Sequence, residues 1–430
     1  MEIRRDKYLN DLVVRMGNGA IKIVTGIRRC GKTYLVFELF ARHLHEAGVD
    51  DAHIVGLALD DEANAAYRDP GELYRYVLDR IGDDREAYYV LLDEVQYAIS
   101  DEELRSKDEP PRLYGVLNGL MRRRNIDVYV TGSNSKLLSK DVMTEFRGRG
   151  DEVHVMPLTF AEFMQAYPGD RYAGWAEYAM YGGMPFLSTM RTDEQKMRYL
   201  AGLFGEVYLT DVVSRNRIAK TRELDDLVNV LVSSIGSLTN PSKIEAAFRT
   251  VLHSKLDADT IKRYIGYLED SFLIDEAERY DVKGRRYIGT PKKYYFEDVG
   301  LRNARLGFRQ VEETHIMENV IYNELRARGY SVDVGEVEKR VRADSKEKRR
   351  RCEVDFVANL GYRRYYIQSA LALPDEQKAA QEKAPLLAIN DSFRKVVVVK
   401  DVVKPYMDRD GILTMGLFDF LLDPDSLDKV

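Results

Sequence analysis

The sequence has few of the residues that mark disulfide-rich, metal-binding or membrane-spanning proteins. Its 430 residues include two cysteines, Cys30 and Cys352, which lie far apart and have no ligand-like spacing. We therefore expect neither a disulfide framework nor a zinc site, and the six histidines are too scattered to suggest a metal centre. No apolar run approaches membrane-spanning length, and the charged start Met1–Asp6 does not resemble a signal peptide. These absences predict a cytoplasmic protein with no membrane partner.

The chain also lacks an excess of positive charge. It carries 65 basic and 71 acidic residues, for a net charge of -6. The chain therefore lacks the overall positive charge that is typical of nucleic-acid-binding proteins. Any basic surface for nucleic acid must be a local one. The composition, with 45% apolar and 32% charged residues, is typical of a globular protein, and the length allows two to four domains.

The strongest motif present is a glycine-bounded loop that follows the apolar strand Ile21–Thr25 and fits the pattern G-x-x-x-x-G-K-[ST]. Gly26 and Gly31 allow a tight turn whose N–H groups point at phosphate oxygens. Lys32 supplies a charge for the phosphates, and Thr33 supplies a hydroxyl for Mg²⁺. The predicted nucleotide-binding residues are Gly26, Ile27, Arg28, Arg29, Cys30, Gly31, Lys32, Thr33 and Tyr34. The strand before and the amphipathic helix after this loop favour an ATP site over an ordinary glycine turn.

A second motif lies at the end of the apolar strand Tyr88–Leu92, where Asp93 and Glu94 follow. The carboxyl end of a strand is the ligand-binding edge of an open parallel sheet. We expect Asp93 to hold Mg²⁺ together with Thr33, and Glu94 to act as the general base on water. The alternative is a buried strand that merely ends in solvated acids. The phosphate-binding pattern upstream makes that alternative the weaker one.

Two further catalytic roles are predicted near the fourth and fifth strands. Asn134, with Ser133 as second choice, follows the strand Ile126–Val130 and is expected to sense the γ-phosphate. Its alternative role is to cap the next helix. Arg147 and Arg149 precede the fifth strand, and either could reach a neighbouring subunit's nucleotide as an arginine finger. This role would require oligomerisation. The alternative is an arginine that binds the protein's own acidic loop.

Strands and helices alternate through this region, which predicts a parallel sheet covered on both faces. With these motifs the chain resembles the prokaryotic AAA-type P-loop ATPases that carry a C-terminal extension. The resemblance is carried by Gly26–Thr33, Asp93-Glu94, Thr131–Asn134, Arg147–Arg149, Pro157–Phe163, Tyr181–Pro185 and Tyr295–Leu301. It implies ATP as ligand and the sheet order 5-1-4-3-2, but it supplies no substrate.

The predicted fold class is α/β: an AAA-type P-loop domain, a helical lid, a winged helix and a degenerate restriction-endonuclease-like domain. The expected boundaries are 1–165, 166–220, 221–310 and 311–430. The winged-helix prediction rests on three helical patterns and two short strands around a basic turn. Lys262, Arg263, Lys283, Arg285 and Arg286 would form its basic surface. DNA contact and a protein-interaction role remain equal alternatives.

The last region is similar to the PD-(D/E)xK nuclease fold, although it lacks part of that motif. Asp355 and Glu324 match metal-ligand positions, but Gln368 replaces the usual Glu and Ala370 replaces the lysine. We expect an inactive nuclease fold kept for binding or docking, with residual metal-dependent cleavage as the weaker alternative. The basic run of residues 339–351 is either a phosphate contact or a solvated loop.

The sequence as a whole predicts a Mg²⁺-dependent ATPase that converts ATP and water to ADP and phosphate. It would act as a switch on DNA or on a protein partner. The alternative class is a binding or scaffold protein that uses ATP as a ligand without hydrolysing it. An ATP-dependent nuclease is the third alternative, and Ala370 argues against it.

Overall fold

The computed structural model describes residues 2–82, 86–100, 102–103, 109–133, 149–250, 256–309, 312–343 and 346–429. At residues 206–207, 340–343 and 346–349 it describes the backbone alone. The chain forms two compact units. The first unit contains residues 3–157 and 270–272, and the second contains residues 1–2, 158–269 and 273–430.

The first unit is built on a five-stranded sheet in which every pair is parallel. Its strands are β1 (Ile21–Thr25), β2 (Ile54–Ala58), β3 (Tyr88–Asp93), β4 (Ile126–Thr131) and β5 (Gly150–His154). Their order is β2-β3-β4-β1-β5, which reads 5-1-4-3-2 from the β5 edge. This is the order that the resemblance implied.

Helices cover this sheet, because parallel sheets need apolar layers on both faces. They are Asp6–Val13, Lys32–Tyr34, the π-helical Leu35–Phe40, Ala41–Glu46, Pro70–Arg80 and Arg112–Met121, with 3₁₀ turns at Asp51–His53, Glu62–Arg68 and Val95–Ala98. Strands β1, β3 and β4 are buried along their whole length. Within this core Lys22 pairs with Asp127, a buried ion pair that the apolar pattern did not predict.

The second unit contains an eight-stranded mixed sheet. Its strands are β6 (Ile274–Asp281), β7 (Arg286–Phe296), β8 (Ser331–Ala343), β9 (Lys346–Leu360), β10 (Arg363–Ala370), β11 (Arg394–Val399), β12 (Tyr406–Met407) and β13 (Ile412–Gly416). Their order is β12-β13-β11-β10-β9-β8-β6-β7. The antiparallel pair β9–β10 continues into the buried strand β11, which pairs with β10 in parallel.

The second unit also contains helices along most of its length. They are Phe160–Ala166, Arg171–Tyr181, Asp193–Gly202, the π-helical Leu203–Leu209, Thr210–Asn216, Thr221–Ser233, Pro241–Thr250, Ala258–Asp270, Val299–Arg305, Glu313–Ala327, Glu376–Leu387 and Leu417–Leu422, with a 3₁₀ turn at Pro185–Thr189. Three of these helices precede the β6–β7 hairpin, as expected for a winged helix. Strand β6 also pairs in parallel with β8, so this hairpin belongs to the larger sheet. The winged-helix and nuclease-like assignments, and the four domain boundaries, stay predictions.

Two of the motifs that carried the resemblance contact each other in the second unit. The helix Arg171–Tyr181 ends at the glycine pair, as predicted, and Gly183 N–H donates to Asp298 Oδ2 at 2.7 Å. A Cβ on Gly300 would lie 1.8 Å from the carbonyl oxygen of Tyr181, so only glycine fits there. Burial raises the pKa of Asp298 to about 6, although backbone N–H groups oppose the shift.

Candidate nucleotide-binding site

The loop after β1 has the backbone that its glycines predict. Gly26 has φ +139° and Gly31 has φ +101°, both in the region that side chains avoid. A Cβ on Gly26 would lie 2.1 Å from the carbonyl oxygen of Val155, so the turn admits glycine alone. Gly31 forms the cap of the helix that begins at Lys32. The loop therefore leads directly into a helix amino terminus, which favours anionic ligands.

Lys32 lies inside this loop with its side chain almost fully buried. Its Nζ donates to the carbonyl oxygens of Gly26, at 3.0 Å, and Ile27, at 3.2 Å. Both partners are neutral, and no carboxylate of the described residues forms an ion pair with Lys32. The positive charge is therefore available to an anion that enters the loop.

Thr33 and Asp93 are brought together from the two predicted motifs. Thr33 Oγ1 donates to Asp93 Oδ2 at 2.7 Å. Thr131 Oγ1 donates to Asp93 Oδ1, and it accepts the N–H of Glu94 at 3.0 Å. Burial raises the pKa of Asp93, while the hydroxyl groups of Thr131 and Thr33 lower it. Three residues from three segments thus fix one carboxylate at the edge of the sheet.

This donor set fits Mg²⁺, which prefers oxygen ligands and usually keeps water or phosphate oxygens beside one or two protein groups. Thr33 offers a hydroxyl and Asp93 a carboxylate, and the two are already in contact. In the described part of the chain, no group of three or more His, Cys, Asp or Glu residues forms a metal cage. The arrangement suits a cation shared with bound phosphates.

Glu94 directly follows Asp93 and has a left-handed backbone, with φ +50°. Its Oε2 accepts a hydrogen bond from Nε2 of Gln96, two residues further along the chain. Gln96 Oε1 is buried and has no hydrogen-bond partner among the described residues. Glu94, the predicted base, therefore accepts a hydrogen bond from the Gln96 side-chain amide, and the oxygen of that amide has no hydrogen-bond partner among the described residues.

Of the other predicted catalytic residues, Arg149 is the one that lies within the described part of the chain. Asn134 and Arg147 lie outside the described residues, and Ser133 is buried just after β4. Arg149 is exposed, and its carbonyl accepts the N–H of Ile21 at 2.9 Å. Arg149 precedes β5 and therefore lies at the amino ends of the strands, whereas the loop lies at their carboxyl ends. A five-residue strand separates these two ends by about 16 Å. The predicted role of Arg149 as a finger in a neighbouring subunit stays a prediction.

Two residues at the site were not assigned roles from the sequence. Thr131 is the last residue of β4, which pairs with β3, so the expected strand order could have placed it beside Asp93. Arg5 is buried, and its guanidinium donates to the carbonyls of Cys30, at 3.0 Å, and Met156, at 2.7 Å. No motif marks Arg5. Through these hydrogen bonds, Arg5 links the amino-terminal segment to the loop and stabilises the loop backbone.

The second unit contains an acidic cluster, which we define as Glu318, Glu353, Asp355 and the buried Lys293. Lys293 Nζ lies 2.8 Å from Glu318 Oε1 and 2.7 Å from Glu353 Oε1. Burial alone would lower the pKa of Lys293, but the carboxylates of Glu318, Asp355 and Glu353 outweigh it and raise the pKa. Burial raises the pKa of Asp355, and the carboxylate of Glu318 adds to the shift. A lysine therefore supplies the cation of this cluster.

The predicted metal-ligand pair is wrong in one member. Glu324 accepts from Arg328 Nε at 2.7 Å, whereas the helix carboxylate that acts on Asp355 is that of Glu318. The two glutamates are six residues apart, so a helix with 3.6 residues per turn directs them to different faces. Gln368, the residue in place of the usual Glu, is buried, and its Oε1 has no partner among the described residues.

Comparison with known proteins agrees with the first unit's geometry. Residues 18–164 match the family model described as "AAA domain", which fits the sheet order and the loop. The first unit is thus similar to an AAA domain over these residues. Residues 172–312 match a model described as "Domain of unknown function (DUF8612)". Across the described residues, no helix has the length and apolar character needed to cross a membrane.

The whole chain also has relatives of similar length. A Haemophilus influenzae protein described as "Uncharacterized protein" is 30% identical over 428 residues, which cover 98% of each chain. This chain belongs to the same family as that protein. A Methanocaldococcus jannaschii protein is 26% identical over 405 residues, covering 90% of this chain and 83% of its own. A solved structure, a Walker-type ATPase of Pyrococcus abyssi, has 16% identity and a TM-score of 0.49 over 71% of this chain and 96% of that one.

Proposed function

We propose that this protein is a Mg²⁺-dependent ATPase whose nucleotide state controls the binding of a partner. The observation that carries the proposal is the Thr33–Asp93 contact at 2.7 Å, next to a lysine with no carboxylate partner among the described residues. This contact joins two distant sequence motifs at one edge of the sheet. The AAA-domain match supports nucleotide binding by this unit.

The chain's own groups divide the work of binding. The backbone N–H groups of the loop and the ammonium of Lys32 would bind the phosphates in place of the loop carbonyls that Lys32 now contacts. Thr33 and Asp93 would hold Mg²⁺, which when bound supplies charge neutralisation at the phosphoryl group. Arg5 keeps the loop backbone in place through the Cys30 carbonyl. We assign the remaining loop residues to nucleotide contact on the same grounds.

Glu94 is the general base in this proposal, and its hydrogen bond with Gln96 determines whether it can accept a proton from water. To accept a proton from water, the Glu94 carboxylate must have a free oxygen aimed at that water. Gln96 now occupies Oε2, so it either orients Glu94 through one oxygen or restrains it. Asn134 as the γ-phosphate sensor, and Arg147 and Arg149 as fingers from a neighbouring subunit, complete the hypothesis.

The same contact supports a second candidate function, an ATP-liganded scaffold that does not hydrolyse. In that case Gln96 keeps Glu94 from water permanently. We propose DNA or a protein as the partner, bound through the second unit, and a cytoplasmic location stays a prediction from the sequence. An ATP-dependent nuclease is the weakest candidate, because Lys293 already pairs with the carboxylates beside Asp355.

The experiment that separates these candidates measures nucleotide binding and steady-state hydrolysis with Mg²⁺, with and without DNA. We expect Lys32→Ala to lose both activities. Glu94→Gln should keep ATP binding while hydrolysis falls by about 100-fold, a typical contribution of a general base. Gln96→Ala distinguishes restraint, which predicts faster turnover, from orientation, which predicts slower turnover. Tight ATP binding without turnover under every condition would instead support the scaffold.

A further inference from the structure

A cavity in the second unit lies between the end of the helix Thr210–Asn216 and the helix Ala258–Asp270. It has a volume of about 390 Å³, within the range of about 300–1,000 Å³ typical of small-ligand sites. Arg217, Lys220 and Arg263 line it, and the described residues that line it include no acidic side chain. In a chain with more acidic than basic residues, this local excess of positive charge does not follow from composition.

The three cations have no acidic partner among the described residues. Arg215, two positions before Arg217, pairs with Asp211 at 2.9 Å. Within the described ranges Arg217 and Lys220 form no ion pair, and Arg263 donates a hydrogen bond to the hydroxyl of Thr260 at 3.3 Å. Their charge is therefore available to an anion that enters the cavity.

The backbone at Arg217 supports a role for its side chain. Arg217 ends its helix with φ 50° and ψ 48°, the left-handed conformation in which glycine is usual. The turn closes through the N–H of the buried Ile218, which donates to the Val213 carbonyl at 3.0 Å. Glycine would satisfy this turn with less strain, so the fold alone does not explain an arginine here.

An aromatic wall adds a second type of contact. Tyr264 and Tyr267 are one helical turn apart, and their ring centroids are 6.2 Å apart with planes inclined by 30°. Tyr264 is buried and Tyr267 half-buried. Burial raises the pKa of Tyr264, although Arg263 opposes the shift, so this ring is neutral at physiological pH. Neutral aromatic rings of this kind stack on unpaired bases.

We propose that this cavity binds one nucleotide unit, with its phosphate on Arg217, Lys220 and Arg263 and its base against the tyrosines. The unit could come from a single-stranded nucleic acid or from a free nucleotide. An acidic peptide would satisfy the cations but offers no flat base to the rings. This inference deepens the partner assignment of the proposed function, and it does not require ATP hydrolysis.

The test uses the full chain carrying Lys32→Ala, so that the loop of the first unit does not contribute nucleotide binding. Fluorescence anisotropy would follow labelled single-stranded and duplex oligonucleotides, with AMP and GMP as competitors. Arg217→Gly removes the side chain and relieves the left-handed backbone, so it should not unfold the protein. We expect single-strand affinity to fall about tenfold, and the slope of log affinity against log salt to decrease by about 1.

The matched control is Lys243→Ala, because Lys243 is an exposed cation of the same unit, on the helix Pro241–Thr250, and does not line the cavity. Arg263→Ala should weaken binding, and Lys243→Ala should change it less than twofold. Tyr267→Phe should retain affinity that Tyr267→Ala loses. Mononucleotide binding without oligonucleotide binding would identify a free nucleotide as the source.

Three results would overturn the proposal. They are equal losses in Arg263→Ala and Lys243→Ala, unchanged affinity in Arg217→Gly, and no binding of any of these nucleotides. Hydrolysis is measured separately with Lys32 intact. A protein that binds oligonucleotides through this cavity but hydrolyses no ATP would refute the ATPase proposal alone.

Discussion

The loop site of the first unit and the acidic cluster of the second unit contain the same kinds of residues in opposite states. In the first, as far as the chain is described, Lys32 Nζ donates to neutral carbonyls and the Asp93 carboxylate accepts from hydroxyl groups. In the second, Lys293 forms ion pairs with Glu318 and Glu353 beside Asp355. In the loop site the Lys32 ammonium and the Asp93 carboxylate do not pair with each other, so each can bind a ligand of opposite charge. In the acidic cluster the lysine and the carboxylates neutralise one another.

The comparison changes the reason for expecting no nuclease activity. The sequence suggested a missing lysine at Ala370 as the defect. The structure adds that a lysine from β7 occupies the neighbourhood of Asp355, so the carboxylates already have a cation. A divalent metal would have to displace a buried, hydrogen-bonded ammonium to bind there.

The largest expected effect comes from Lys293→Met, which would break the internally neutralised cluster. Removing one member of a buried ion pair leaves uncompensated charge and costs about 3–5 kcal/mol of unfolding free energy. Urea unfolding would measure the loss. Lys292→Met is the control, because Lys292 is only partly buried and pairs with Glu276 and Glu278, which predicts a loss of about 1 kcal/mol or less. Equal losses would remove the distinction between the two lysines.

A comparison of the variants Asp93→Asn and Asp355→Asn tests which of the two aspartates binds a ligand. We expect Asp93→Asn to reduce Mg²⁺-dependent ATP hydrolysis by about 100-fold, or about 2.7 kcal/mol, because it removes a charged Mg²⁺ ligand. Asp355→Asn should leave hydrolysis within about twofold, since Asp355 lies in the other unit's cluster. Magnesium titrations of the steady-state rate would measure both. A large loss in Asp355→Asn would contradict the comparison.

Thr131→Val would sharpen the view that hydroxyl groups fix Asp93 without neutralising it. The change deletes one donor to Asp93 and the acceptor for the N–H of Glu94, which predicts a cost of about 1–2 kcal/mol. Hydrolysis should fall about tenfold with a smaller change in ATP affinity. Thr131→Ser keeps the hydroxyl and should behave like the wild type in both measurements.

The smallest expected effect is that of divalent cations without nucleotide. Lys293 already neutralises the acidic cluster, so we expect Mg²⁺ and Mn²⁺ not to bind there. Millimolar concentrations of either cation should therefore shift the Tm of the Lys32→Ala protein by less than about 1 °C, because a ligand that does not bind the folded state does not stabilise it. Thermal unfolding would measure the shift. In Lys293→Met the same cations should raise the Tm, and a failure to do so would show that the vacated carboxylates do not assemble into a metal site.

The parts of the site that could be predicted from the sequence depend on local motifs joined by a regular topology. Gly26, Thr33 and Asp93 belong to patterns with fixed chemistry, and a parallel sheet brings the carboxyl ends of its strands to one edge. Arg5 and Lys293 could not be predicted, because their partners lie 25 or more residues away without a periodic signal. Glu318 and Glu324 are both buried on one helix, so the burial pattern does not indicate which of them faces Asp355.

The parallel pairing of β6 with β8 has a consequence for how this family can recombine. Arg279, Tyr280 and Asp281 of β6 are aligned with Val334, Gly335 and Glu336 of β8, across the boundary drawn at residue 310. Exchanging the chain at that boundary would leave two unpaired strand edges, which invite pairing with other chains. Residues 274–416 therefore form one structural piece, and we expect chain exchanges that keep them together to preserve the sheet.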